Sequence, residues 1–142
     1  AKQGRIFVLR LEHEEILHEI IEKFAQEKGI QRAVVWAVGG ADDGSQLVVG
    51  PEDGAKMPFI PMKTGLFGTH EVLGVGTIFP DGETCAPILH MHMSCGRGNQ
   101  GITGCVRVGV KVWHVLEVVI QELLENTATR VLDYTGFKLL AP

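Results

Sequence analysis

The sequence of 142 residues lacks most of the features that mark membrane, secreted and disulfide-rich proteins. No apolar run reaches the roughly 20 residues that a membrane-spanning helix needs, and no signal peptide precedes Arg5. The only cysteines are Cys85, Cys95 and Cys105. This odd number fits free thiols in a reducing compartment better than a disulfide framework. We therefore expect a cytoplasmic protein that does not enter a membrane.

Positive charge is also scarce, because the formal net charge at pH 7 is −4. The basic residues are scattered and form no run. Their densest group consists of Arg97, Arg107 and Lys111. The chain has no phosphate-binding glycine fingerprint, no internal repeat and no basic tail. Since non-specific DNA binding depends on many phosphate contacts, we expect no direct binding of nucleic acid.

Apolar residues are abundant enough for a folded core, with 45% of residues hydrophobic and 21% charged. No linker or change of composition divides the chain, so we expect a single domain over residues 1–142. Apolar periodicity predicts a helix over residues 14–28, ending at Gly29. Runs rich in β-branched residues predict strands over residues 5–11, 33–38, 69–79, 87–94, 104–112 and 116–122. One helix with many hairpin-linked strands indicates an α+β domain on an antiparallel or mixed sheet.

The most informative feature is the tripeptide His90-Met91-His92 within a predicted strand. Successive strand side chains point to opposite faces of a sheet, so His90 and His92 share one face. Their Cα atoms would lie roughly 6.5 Å apart, which allows both imidazoles to contact one ion. The pattern therefore predicts a metal site with soft donors, for which zinc is the best match.

Cys105 joins this pair if the following hairpin is symmetric. The segment from Gly96 to Gly101 is dense in turn-forming residues. With the turn centred between Gly98 and Asn99, Cys105 lies directly opposite His92, and directly opposed residues project from the same face. A slip of one residue would send the thiol to the other face, and His70 or His114 would then be the better third ligand.

A His-x-His pair is common by itself, and a strand cysteine is more often a small buried hydrophobe than a ligand. The metal site is supported mainly by the expected position of Cys105 opposite His92, which adds a third donor on the same face. We expect Met91 and Met93, which face away from the histidines, to be core residues. Cys85 and Cys95 share this alternation with the methionines, so we expect both to be buried thiols.

The order of these segments resembles a known family, the PPC domain of plants and prokaryotes. The resemblance covers residues 5–139 and depends on His70 to Ile78, Leu89 to Ser94, Gly104-Cys105-Val106 and Leu116 to Ile120. It implies an α+β fold with a mainly antiparallel sheet, assembled as a homotrimer. We therefore expect a single α+β domain in which a long N-terminal helix packs on a mainly antiparallel sheet.

The resemblance also implies a metal site. Prokaryotic PPC domains typically carry His-x-His on one strand and a third histidine on the next, and His90 and His92 match the pair. Cys105 stands where the third histidine is expected, which changes the donor type while keeping a good zinc ligand. Plant relatives attach to DNA through basic AT-hook segments, and this chain has none.

Three functions compete on this evidence. The first is a zinc-binding trimer, with one ion per chain on His90, His92 and Cys105, that acts as an interaction or oligomerisation module. It would contact an unknown protein or small-molecule partner and would reach DNA only through partners. The second is a zinc-dependent enzyme acting on a small anionic substrate. The third is direct DNA binding, which only the family likeness favours.

For the enzyme, zinc would lower the pKa of a bound water to about 7. Glu71 or Glu117 would then serve as general base, and Arg97 or Arg107 would hold the anion. Strand glutamates and loop arginines are usually only solvated surface charges. The sequence leaves open whether the chain is an enzyme, with a binding role favoured.

Overall fold

The structure is a computed structural model that describes residues 1–142, and antiparallel strands dominate it. In chain order, its elements are β1 (Lys2–Leu11), α1 (Leu17–Lys28), β2 (Ala33–Ala41), β3 (Gln46–Pro51), β4 (Pro61–Gly65), β5 (His70–Pro80), β6 (Pro87–Arg97), β7 (Gln100–Cys105), a 3₁₀ turn (Val106–Val108), β8 (Val112–Leu124), β9 (Thr129–Leu132) and β10 (Lys138–Ala141). No helix has the length and apolarity that crossing a membrane requires.

Eight strands form one sheet in the order β1-β8-β2-β5-β6-β7-β3-β4, and β9 and β10 form a separate hairpin. Alternation of side chains gives the large sheet two different faces. On β6, Leu89, Met91 and Met93 are buried on the inner face, as the sequence predicts, while His90 and His92 are exposed on the outer face. The hydrophobic core therefore lies on one side of the sheet only.

The helix α1 covers the inner face through its apolar stripe. Leu17, Ile21 and Ala25 are completely buried in the same cluster as Leu89 and Met91 of β6. The helix ends at Gly29, whose left-handed backbone (φ 65°) directs its N–H to the carbonyls of Ala25 and Gln26. Glycine adopts this conformation without steric cost, so the predicted end of the helix is confirmed.

The predicted long N-terminal helix is wrong. A ten-residue strand occupies the N-terminus, and α1 spans only 12 residues. The helix starts late because Glu14 has a positive φ of 70° and donates its N–H to the carbonyl of Val112. Ile16 is extended and forms a bridge with Lys111. Pairing with the start of β8 thus takes the backbone groups that a longer helix would use, and the fold is mostly antiparallel sheet with one short helix.

The strand predicted over residues 104–112 is also wrong in its extent. β7 ends at Cys105, and the 3₁₀ turn Val106–Val108 follows it. The chain must turn here because β8 lies between β1 and β2, far across the sheet from β7. Gly109, with a φ of 123°, continues the turn. The segment Leu47–Val49 belongs to β3, which lies between β7 and β4.

Replacing Gly104 by alanine will destabilise the protein, because β3 and β7 approach most closely there. A Cβ atom at Gly104 would lie 2.5 Å from the carbonyl oxygen of Val48. We expect Gly104→Ala to lower the free energy of unfolding by about 1–3 kcal/mol, the usual cost of overpacking. Urea denaturation measures this change.

Gly101→Ala on the same strand is the matched control. Its Cβ would meet nothing closer than the Cys95 carbonyl oxygen at 3.8 Å. Equal denaturation midpoints for the two variants would contradict the close approach of β3 and β7.

Candidate metal centre

The hairpin between β6 and β7 brings the three predicted donors together. Its loop consists of two residues, Gly98 and Asn99, and Gly98 has a φ of 61°. Arg97 pairs with Gln100, and His92 lies directly opposite Cys105. The predicted register is thus confirmed, and the Cys105 thiol shares the outer face with the two imidazoles.

The donor atoms are close enough to share one ion. One ring nitrogen each from His90 and His92 and the Sγ of Cys105 all lie within 4.8 Å of one another. The two imidazole rings stand nearly perpendicular, with centroids 5.1 Å apart. Two nitrogens and one sulfur suit zinc, and a set of three leaves a coordination position open. The residues present therefore fit the metal that the sequence predicts.

The surroundings of His90 favour the neutral form of its imidazole. Partial desolvation of the ring lowers the pKa of His90, and the positive charge of Arg130 and the neighbouring His92 lower it further. Because metals bind the neutral imidazole, a lowered pKa leaves this ligand available at neutral pH. The lowered pKa also makes stability depend on pH. His90 binds a proton more readily in the unfolded chain than in the folded protein. Protonation of His90 therefore lowers the free energy of unfolding as the pH falls below about 6.5.

The donors lie on the wall of an open cleft of about 630 Å³. Three cationic residues, Arg107, Arg130 and Lys138, line it beside the donors. Its apolar wall consists of Val48, Pro61, Ile88, Phe137, Leu139 and Leu140, with Leu89 at the base. The volume lies within the range of small-molecule sites in proteins. The cleft therefore combines metal donors, positive charge and apolar surface.

The structure brings only one of the four predicted substrate or base residues to this cleft. Arg107 lines it, forms an ion pair with Glu22 of α1 at 2.9 Å and donates a hydrogen bond to the carbonyl of Leu89. Arg97 instead donates to the carbonyl of Thr69 at 2.6 Å and lines a different depression.

The two glutamates lie elsewhere on the sheet. Glu71 is on β5 opposite Gly96, four residues along the strand from Val75, the partner of His92. Glu117 is on β8 between Arg10 and Val38, more than one strand away from β6. No residue that lines the cleft is an aspartate or glutamate.

The alternative ligands also lie away from the donors. The Nδ1 of His70 is 2.9 Å from the carbonyl oxygen of Gly68, and the His114 ring stacks on His13 with centroids 4.1 Å apart. Cys95 is buried as predicted, which raises its pKa to about 11. The prediction of a buried thiol is wrong for Cys85, because a φ of 60° places it in an exposed turn after β5.

Sequence reasoning missed Arg130 and Lys138, which the β9–β10 hairpin places on the outer face. The Arg130 guanidinium donates from Nη2 to the Thr77 hydroxyl at 3.0 Å, and Thr77 is the cross-strand partner of His90. Lys138 pairs with Asp81. That lysine and the amides of residues 83 and 84 lower the pKa of Asp81 to about 2. No local pattern in the sequence marks either residue, because the packing of the hairpin decides their position.

Comparison with known proteins adds a family and a set of similar folds. The family model of the Plants and Prokaryotes Conserved (PCC) domain matches residues 1–124. The β9–β10 hairpin lies beyond the matched residues. Among curated proteins, none has a matching sequence.

Several solved structures share the fold over nearly the whole chain. A plant- and prokaryote-conserved protein from Pyrococcus horikoshii has 22% identity and a TM-score of 0.85, covering 99% of this chain and 94% of its own. A metal-containing protein from Archaeoglobus fulgidus has 26% identity and a TM-score of 0.81. The match covers 99% of this chain and 96% of the Archaeoglobus chain. A candidate DNA-binding protein from Bacteroides thetaiotaomicron has 15% identity and a TM-score of 0.78, covering 99% and 94%.

Proposed function

Since the chain belongs to the Plants and Prokaryotes Conserved domain family, we propose that it is a zinc-binding homotrimeric domain that acts as an interaction or oligomerisation module. His90, His92 and Cys105 hold one zinc ion per chain. The observation that carries this proposal is the convergence of three soft donors within 4.8 Å on two paired strands. The similar fold of the metal-containing protein from Archaeoglobus fulgidus supports it.

The thiolate ligand also bears on location. All three cysteines are free, which suits a reducing compartment. We therefore place the protein in the cytoplasm, where Cys105 remains available for the metal.

The uncovered face of the sheet supports self-association. Val8, Val119, Trp36, Val75 and His92 are successive cross-strand partners from β1 to β6 on the outer face. The next row includes Val38 and Leu73, which are both more than half exposed. A contiguous apolar surface of this kind is typical of a protein–protein contact. The resemblance to the family implies a trimer, and the candidate metal donors lie on this same face.

A zinc-dependent enzyme is the second candidate, and the open cleft is the observation that favours it. Bound zinc would polarise a substrate oxygen or lower the pKa of a bound water. Arg107 and Arg130 would attract an anionic substrate. Against it, no carboxylate lines the cleft to serve as general base. X-ray absorption of the zinc-loaded protein separates the two roles, because a fourth protein ligand favours a structural ion and an oxygen ligand favours an enzyme.

Direct DNA binding has weaker support. Two proteins of similar fold, from Bacteroides thetaiotaomicron and Ralstonia eutropha, are described as candidate DNA-binding proteins, at 15% and 20% identity. This chain has a net charge of −4 and no AT-hook. We propose that any association with DNA runs through partner proteins.

The zinc site predicts that Cys105→Ser strongly weakens metal binding. The substitution removes the thiolate and leaves two imidazoles, so zinc content after equilibrium dialysis should fall at least about tenfold. Affinity in the parent should also fall as the pH drops, because protons compete for both donor types. Elemental analysis across a pH series measures both effects.

Cys85→Ser is the control, since this thiol is exposed and lies outside the site. It should keep the metal content of the parent. Full zinc content in Cys105→Ser, or no zinc uptake by the parent, would refute the proposed donor set.

Placing a charge on the outer face should dissociate the trimer. Leu73→Lys would bury an ammonium group in the proposed contact, where desolvation is costly. We expect a trimer mass for the parent and a monomer mass for the variant in light scattering at micromolar concentrations. Gln26→Lys introduces the same charge at an exposed position of α1, which covers the inner face, and should remain trimeric. A monomeric parent would exclude the assembly.

The isolated protein should show no appreciable affinity for duplex DNA at physiological salt. Its negative net charge provides few phosphate contacts, from which non-specific binding draws nearly all its energy. Fluorescence anisotropy with labelled duplex DNA measures this affinity. Tight binding that weakens steeply with salt would overturn the expectation and reveal a basic surface on the assembled protein.

A further inference from the structure

Arg130 carries the only positive charge in the cleft that no carboxylate balances. Arg107 is paired with Glu22, and Lys138 is paired with Asp81. Arg130 forms no ion pair with any carboxylate of the chain. The residues that line the cleft therefore leave one unit of positive charge without a partner.

This charge is also buried and incompletely hydrogen-bonded. The Arg130 residue is only 6% exposed, and its Nε has no hydrogen-bond partner. Its one side-chain hydrogen bond runs from Nη2 to the Thr77 hydroxyl, and the guanidinium lies over the Phe79 ring at 5.8 Å. Removing a charge from water is costly unless a counter-charge and hydrogen bonds replace the solvent. A buried arginine in this condition on the wall of a cleft indicates an anion that binds there.

The rest of the cleft indicates the chemistry of that anion. The apolar residues of the cleft, which include Val48, Phe137 and Leu140, offer surface for a carbon chain. In the metal-free protein, one unbalanced charge matches a monoanion better than a dianionic phosphate. A guanidinium has the planar geometry that pairs with a carboxylate through two parallel hydrogen bonds.

We propose that the cleft binds a small organic monocarboxylate, with its carboxylate on Arg130 and its carbon chain against the apolar wall. This assignment rests on the proposed function in one respect, since the ligand would lie beside His90 and the zinc donors. Arg130 lies beyond residues 1–124, the part of the chain that the family model matches. The proposed ligand thus depends on a part of the protein other than its metal-binding strands.

Calorimetric titration of the purified protein with hexanoate tests the proposal, in zinc-loaded and metal-free form. Acetate and inorganic phosphate serve as comparison ligands. We expect hexanoate to bind more tightly than acetate, because its longer chain buries apolar surface, and phosphate to bind more weakly than hexanoate. In the metal-free protein, phosphate binding as tight as that of hexanoate, or no binding of either carboxylate, would overturn the proposal.

Arg130→Met is the decisive variant, because it keeps much of the volume and removes the charge. We expect hexanoate affinity to fall at least about tenfold, as for loss of a charge-assisted hydrogen bond. Its thermal unfolding midpoint should be no lower than that of the parent, since an unbalanced buried charge has gone. Arg97→Met, outside the cleft, is the matched control and should bind hexanoate like the parent. Parental affinity in folded Arg130→Met would refute the role of Arg130.

If Arg130→Met fails to fold, Arg130→Lys decides the question. It keeps the charge but lacks the planar pair of donors, so affinity for hexanoate should still fall several-fold. Unchanged affinity in Arg130→Lys would exclude a paired arginine–carboxylate contact.

The metal and the carboxylate sites can fail separately. Arg130→Met should keep its zinc content, and Cys105→Ser should lose zinc but retain carboxylate binding that depends on Arg130. A protein that takes up no zinc, yet binds hexanoate through Arg130, would refute the proposed function and leave this inference standing. Carboxylate binding that requires zinc and is unchanged in Arg130→Met would refute this inference and leave the proposed function standing.

Discussion

The antiparallel pairing of β6 with β7 determines which side chains meet on the outer face of the sheet. Its two-residue turn places Cys105 opposite His92, and the same ladder aligns Gly104 with Met93. A shift by one residue would bury the thiol among the core methionines and expose a glycine in its place. The close approach of Val48 to Gly104 secures the far side of β7. The candidate metal site therefore takes its geometry from the backbone pairing of these two strands.

The large sheet carries apolar residues on both of its faces, and both faces must be covered to keep these residues from water. The helix α1 covers the inner face, and its residues Leu17 and Ile21 are completely buried in the core cluster. The outer face carries Trp36, Val38 and Val75 on its central strands and has no helix to cover it. Retaining such residues on a free surface would favour aggregation, and the proposed self-association would cover them.

The parts of the structure that depend on neighbouring residues were predictable, and those that depend on distant packing were not. Strand alternation placed His90 and His92 together, and turn chemistry at Gly98 placed Cys105 beside them. The start of α1 was not predictable, because backbone pairing of Glu14 with Val112 overrides its helical periodicity. Arg130 was equally hidden, since its place beside His90 comes from the docking of a hairpin remote in sequence.

The β9–β10 hairpin is a separate two-stranded sheet, joined to the rest of the molecule by one isolated bridge and by side-chain contacts. Lys138 pairs with Asp81, and the carbonyl of Arg130 accepts a hydrogen bond from the N–H of Gly82. The hairpin supplies one wall of the cleft, while the sheet supplies the donors. Evolution could therefore exchange this hairpin, or alter its inward side chains, while the three donors keep their positions on β6 and β7. Related proteins with the same three donors could in this way diversify in what they recognise, each with a different C-terminal wall on an inherited centre.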